Sequence, residues 1–400
     1  MVSGYYKQDG RVNKFVVGLT VVAVVFFVFF VAVAAIVGTN YKQLGNFIKV
    51  YALVHSQYIE PTDTANLVDG ATHGMVESLG DPYSIYLDAA MFKQLEDQIH
   101  GSFAGLGILV GLDKDAGSDK GLLTVKRVYK DTPAYRQGLK EGDRITAIDE
   151  RDARGIDLDT AIKLMRGPVG SKVTLTVLHA GSAKPVRLEL VRAEIRVPTV
   201  EGKMLSGSRI GHISITQFTE KTPGEMDSVL ANLQKQEMNG LILDLRNNPG
   251  GELGSVTKVA DNFVPQGPIV YVDYRSGAEE VRNADEQYLH LPLVVLVNEN
   301  SASAAEILAG AIQDRKTGIL VGTTTFGKGI VQTVFPLNSG AGEQAGLKLT
   351  TARYLTPGKH YINKKGIQPD VAVKDNPDLP GDEQLNRAET IIKEKISGQA

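Results

Sequence analysis

The sequence contains no cysteine, which excludes disulfides, thiolate metal sites and a cysteine nucleophile together. Basic charge is not in excess either: 43 lysines and arginines stand against 46 aspartates and glutamates, a net charge of −3. That balance leaves no footprint for displacing counterions from a polyphosphate, so nucleic acid is not an expected partner. Histidine is scarce, and the seven at positions 55, 73, 100, 179, 212, 290 and 360 form no pair or motif near a candidate nucleophile. A Ser-His-Asp triad is not visible, and neither a metal nor another cofactor is expected. What is present is ordinary for a folded protein, with 42% apolar and 22% charged residues. At 400 residues the chain exceeds what one core supports, so two or three domains are expected.

One long run lacks charge altogether. Residues 15–37 read FVVGLTVVAVVFFVFFVAVAAIV and follow Lys7, Arg11 and Lys14, long enough to span a bilayer. The preceding basic residues favour a cytoplasmic amino terminus, although Lys42 and Lys49 reduce the asymmetry. The competing reading is a signal peptide cut near the small residues Ala32-Val33-Ala34. The expected place is therefore the cell membrane with an extracytoplasmic catalytic part, or a secreted or periplasmic protein after cleavage.

The expected fold class is α/β multidomain. Residues 1–40 read as a stub with the anchor or signal. In 41–98 the apolar spacing is helical, with Val50, Leu53 and Val54, then Leu67, Val68, Ala71, Met75 and Leu79, broken by the turn Glu60-Pro61-Thr62-Asp63. Short strand-like runs such as FAGLGILVGL, RITAIDE and VTLTVLHAG make 99–193 a small β-rich domain. Alternating strands and helices in 194–375, including GLILDLR and LPLVVLV, predict an α/β layer. In 376–400, Leu385, Ala388, Ile391, Ile392 and Ile396 stand at helical spacing and predict a packed terminal helix.

Three segments carry chemistry. In 298–307, NENSASAAEI, an apolar strand ends and a small-residue helix begins at Ser303. There the unpaired first-turn amides and the positive helix end favour an oxyanion, with the Ala304 N–H as a donor. The bland alternative is a capping box of Ser303 with Glu306. The candidate base is Lys328, between Gly327 and Gly329; a lysine acts as a base only when burial lowers its pKa. If 328–332 is extended, Gln332 shares the face of Lys328 and can orient its amine. The glycines Gly250 and Gly251 of LDLRNNPGG follow another apolar strand and offer a second oxyanion amide, or simply a surface turn. Gly322 to Lys328 also spells GxxxxGK, but Gly329 replaces the hydroxyl residue a phosphate loop needs and IVQTVF is β-prone.

Together LDLRNNPGG, NENSASAAEI, GKGIVQT and KGIQPDVAV resemble, in order and spacing, the carboxyl-terminal processing proteases, the tail-specific serine peptidases that carry a PDZ domain. The resemblance covers nearly the whole chain. It implies a crotonase-like protease core in which Ser303 is the nucleophile, Lys328 the base and Gln332 its orienting residue, with Ser301 structural and the amides of Ala304 and of Gly250 or Gly251 as oxyanion donors. It also implies that 99–193 is the PDZ domain, with Gly105, Leu106, Gly107 and Ile108 as the loop that takes a substrate's terminal carboxylate. Protein substrates held by their C-terminal tails, gating by the PDZ domain, and a homo-oligomer, dimer or higher, formed through the amino-terminal helices belong to the same expectation. Gln137, where alanine is common, and the early glycine of TPGKHYI depart from the family pattern. The reading of another class is a catalytically silent PDZ adaptor at the membrane.

Overall fold

The computed structural model describes residues 14–115, 118–182, 184–338, 344–374 and 381–398; residues 1–13 of the expected stub and anchor segment 1–40, and 376–380, 399 and 400 of the expected tail, lie outside them. Two compact units divide the chain, Met1–Gly80 and Asp81–Ala400. The first is a helix pair, Lys14–Gln57 and Thr64–Glu77, the latter capped by Asp63, whose carboxylate accepts the Ala65 N–H. The long helix passes through the uncharged run without a break and continues into a stretch of mixed polarity. Among the described residues no helix is long and apolar enough to cross a membrane, so the fold lends the anchor expected at 15–37 no support.

The second unit contains two structural bodies with separate cores. The strands Ser102–Gly105 and Ala193–Arg196 pair antiparallel, Gly105 opposite Ala193, so the chain enters and leaves the β-rich domain side by side. That domain closes an antiparallel sheet, Ile108–Asp115 to Val186–Val191, and the helix Leu158–Met165 over a core that includes Leu123, Val125, Ile145, Leu175 and Val177. Gly107 has φ +81°, and a Cβ there would meet Thr132 at 2.2 Å, so the GLGI loop tolerates only glycine at this point. Gln137 is the exposed C-cap of the short helix Pro133–Arg136, whose Pro133 and Ala134 are buried.

The remaining body is built on a six-stranded sheet. The strands Ile210–Ile215, Gly240–Asp244, Leu293–Val297, Ile319–Gly322 and Val371–Ala372 run parallel in that spatial order, with Val200–Met204 antiparallel at one edge. The two central strands are buried at every position because both faces are covered, as parallel sheets require. On one face lie the helices Thr222–Lys235, Leu253–Asp261 and Ala304–Asp314. On the other lies Glu383–Ser397, whose Leu385, Ala388, Ile391, Ile392 and Ile396 meet Ile242, Val294 and Leu296. The helix approaches so closely that a Cβ on Gly240 would stand 2.4 Å from Ile392. A second sheet joins Gln344–Leu355 to Ile330–Asn338, Gly267–Tyr274 and the short strand Ile85–Leu87, all antiparallel.

Candidate active site

Three adjacent parallel strands send their carboxyl ends to one place, the position where open α/β sheets bind ligands. Gly240–Asp244 leads to Asn248, Gly250 and Gly251; Leu293–Val297 leads to Ser303; Ile319–Gly322 leads to the loop that carries Lys328. No helix follows that loop but the strand Ile330–Asn338, so the GxxxxGK spelling does not form a phosphate loop.

Ser303 stands at the mouth of Ala304–Asp314 with φ 55° and ψ −114°, a backbone region that costs a non-glycine residue roughly 1–3 kcal/mol. Neighbouring groups hold it there. Its N–H donates to Glu306 Oε2 at 2.8 Å and its carbonyl accepts the Tyr354 hydroxyl at 3.1 Å. The preceding turn is pinned by Ala302 N–H on the Asn248 carbonyl at 2.9 Å and by Ser301 Oγ on the Leu245 carbonyl at 2.8 Å. A capping box is outlined here, with the Glu306 carboxylate returning to the Ser303 N–H. Gly250 packs directly against this turn: a Cβ there would lie 2.8 Å from Ser303 Cβ and 2.9 Å from the Ala304 nitrogen.

Lys328 is held by its backbone, not by a strand ladder. Its N–H donates to Glu306 Oε2 at 2.8 Å and that of Gly327 to Glu306 Oε1 at 2.7 Å. The flanking glycines let this loop lie on 363–366, since a Cβ on Gly327 or on Gly329 would meet the backbone nitrogen of Gly366 or of Asn363 at 2.7 Å. Burial disfavours the Lys328 ammonium most, repulsion by Lys348 adds to this, and attraction to Asp81 and Glu306 opposes it. The balance is a pKa lowered from the ordinary lysine value.

Ser303, Ala304, Gly250, Gly251, Lys328 and Gln332 all line one cavity of about 610 Å³, whose apolar wall includes Leu95, Ile99, Phe218, Ile307 and Val334. Two contacts suggested by the sequence are not made. The Lys328 ammonium lies over the Tyr83 ring, 4.7 Å from its centre, and no hydrogen bond joins it to Ser303. Gln332 donates its amide to Thr350 Oγ1 at 3.3 Å, because extended structure begins only at Ile330 and the ladder shifts register between Val331 and Gln332. Of the two glycines, Gly250 already donates its N–H to Asn248 Oδ1 at 2.8 Å, whereas the Gly251 N–H has no partner among the described residues. Gly105, Leu106, Gly107 and Ile108 lie in the β-rich domain and do not line this cavity. There the carbonyls of Leu106 and Gly107 accept the N–H groups of Ala134 and Tyr129, each at 3.0 Å, which fixes the back of the loop. Asn248, Tyr354 and the full reach of Glu306 carry no signal in the sequence spacing, because their partners meet them only in the fold.

Residues 209–373 match peptidase family S41, residues 96–178 a PDZ domain, and residues 33–91 the amino-terminal domain of the activating protease CtpB. Among curated proteins the chain is similar to the carboxy-terminal-processing protease of Bartonella bacilliformis, 38% identical over 343 residues, which cover 84% of this chain and 76% of the relative. It is likewise similar to the carboxy-terminal processing protease CtpB of Bacillus subtilis, 36% identical over 337 residues, 83% of this chain and 68% of the relative. Among solved structures, the photosystem II D1 C-terminal processing protease superposes with a TM-score of 0.51 at 30% identity, covering 86% of this chain and 90% of that one.

Proposed function

As this chain belongs to peptidase family S41 and is a carboxyl-terminal processing serine protease, we propose that it cuts with Ser303 as nucleophile and Lys328 as general base. The observation that carries this reading is the shared cavity: a half-buried lysine of lowered pKa opens on the same space as a serine held at a strained helix mouth. Neutral Lys328 takes the proton from Ser303 Oγ as the oxygen attacks the scissile carbonyl carbon. The carbonyl oxygen, now an oxyanion, accepts the N–H groups of Ala304 and Gly251; Gly250, committed to Asn248, shapes the turn instead. Lys328 returns its proton to the leaving amine, then takes one from the water that attacks the acyl-enzyme.

The arrangement with Lys328 on Tyr83 and Gln332 on Thr350 supports a resting state in which the pair is not yet assembled. On this reading a substrate tail bound in the loop 105–108 of the PDZ domain shifts Lys328 and Gln332 toward Ser303, and the tails of unfolded or exported proteins with apolar ends are the substrates. Extracytoplasmic work rests on the uncharged run at 15–37 alone, and fractionation of cells into membrane and soluble parts checks it. Exposed Phe47, Ile48, Leu53 and Met75 in the amino-terminal unit support self-association, which sedimentation of a variant polar at these positions checks.

The decisive experiment compares wild type with Ser303→Ala and Lys328→Ala on an unfolded protein with an apolar C-terminus. Both variants should be folded and inactive. Cleavage retained by either one would overturn the assignment.

A further inference from the structure

Glu306 is fully buried and accepts four hydrogen bonds. Oε2 receives the N–H of Ser303 and the N–H of Lys328, both at 2.8 Å; Oε1 receives the N–H of Gly327 at 2.7 Å and the hydroxyl of Thr325 at 2.5 Å. One oxygen therefore holds the backbone of both partners of the proposed catalytic pair. We infer that Glu306 is a positioning residue that fixes Ser303 and Lys328 relative to each other as a single unit, an inference that rests on the assignment of that pair.

Helix capping does not account for the arrangement. A cap needs only the Ser303 N–H, whereas three of the four donors come from the loop 325–328, which belongs to no helix. The chemistry also calls for a carboxylate. An ionised carboxylate is acceptor-only, and all four neighbours are donors; glutamine would turn an NH₂ toward two of them. Such an arrangement is exacting because an unsatisfied donor at a buried site is costly.

The negative charge has a second effect that separates positioning from mere folding. Lys328 is faced by Glu306 and Asp81, which favour its ammonium, by Lys348, which disfavours it, and by the Tyr83 ring. Removing the charge at 306 withdraws a stabiliser of the ammonium, so the lysine becomes neutral at lower pH. The acid limb of the activity profile then moves to lower pH even as turnover falls.

The full chain carrying Glu306→Gln, Thr325→Val or Thr325→Ser is assayed on a fluorogenic peptide with an apolar C-terminus, with Ser303→Ala and Lys328→Ala alongside. Glu306→Gln should lower kcat by about 100-fold, the scale of an ångström of misplacement, with KM within about twofold and the acid limb displaced downward. Thr325→Val should lower kcat and Thr325→Ser restore it, which decides the matter where Glu306→Gln does not fold. A folded Glu306→Gln with wild-type kcat and acid limb overturns the inference, as does equal activity of the two Thr325 variants. If Ser303→Ala or Lys328→Ala cleaves, the assignment of the pair fails; if both are inactive and Glu306→Gln is unaffected, only the positioning role fails.

Discussion

Lys328 sits among charges of both signs, and that setting makes the pH dependence of cleavage predictable. Lys348 lines the same cavity and repels the ammonium, while Asp81 attracts it. Burial raises the Asp81 carboxyl, but hydrogen bonds from Ser84, Thr350 and the Tyr83 N–H, together with the Lys328 charge, outweigh it and keep the carboxyl below its ordinary value. In the proposed role Lys328 must be neutral to act as base, so activity is expected to rise with pH through the lysine's pKa. Lys348→Met should move that rise to higher pH, and Asp81→Asn to lower pH. A pH profile of kcat/KM for the two variants measures this, and displacement in the same direction would refute the electrostatic account. At this scale the sequence is legible where chemistry is local. Ser303 and Lys328 stand out because strand ends and flanking glycines surround them. Glu306 reads only as a cap, since its other donors lie 19 to 22 positions further along and meet it only through tertiary folding. The proposed preference for Gly251 over Gly250 as oxyanion donor turns on Asn248, a buried side chain that spacing does not reveal.

Among the elements, the terminal helix shows how a motif can serve two ends. Arg246, in the loop that leads to Gly250, makes paired bonds to Asp244 and to Asp382, which caps Glu383–Ser397. Burial raises the Asp244 pKa, but hydrogen bonds from His212 and Arg246 outweigh it and leave the value about 2, against an ordinary 3.8. A carboxylate depressed in the folded state stabilises the fold above its unfolded pKa and ceases to do so as pH falls through the folded one. Urea unfolding between about pH 4 and about pH 2 should lose roughly 2 kcal/mol through Asp244. Arg246→Met should flatten that slope and weaken the fold at neutral pH; a slope unchanged in the variant would show that the pairing does not couple to folding. The terminal helix and the parallel strands were readable from apolar spacing, because each buries a periodic face. The strand Ile85–Leu87 was not, since three residues carry no period and only the partner Gln344–Leu355 makes them a strand.

The molecule as a whole keeps substrate reading and chemistry in different cores. Leu123, Val125 and Ile145 of the β-rich domain belong to a cluster that shares no residue with the clusters flanking the parallel sheet. Deleting 106–192 and bridging Gly105 to Ala193 with a short glycine linker should therefore leave a folded catalytic body. If tail binding gates the site, the shortened protein should lose its stimulation by a free peptide with an apolar C-terminus. Fluorogenic turnover with and without that peptide measures this; stimulation that persists after the deletion would remove the domain from the gate.

The antiparallel pairing of Gly105 with Ala193 has a practical meaning beyond this test. Neighbouring antiparallel strands stand about 5 Å apart, so any module whose own ends lie that close can be spliced in without stretching the host. The protease thus has a socket as well as a reader, and a cassette that recognises a different peptide could redirect the same hydrolytic centre to new cargo.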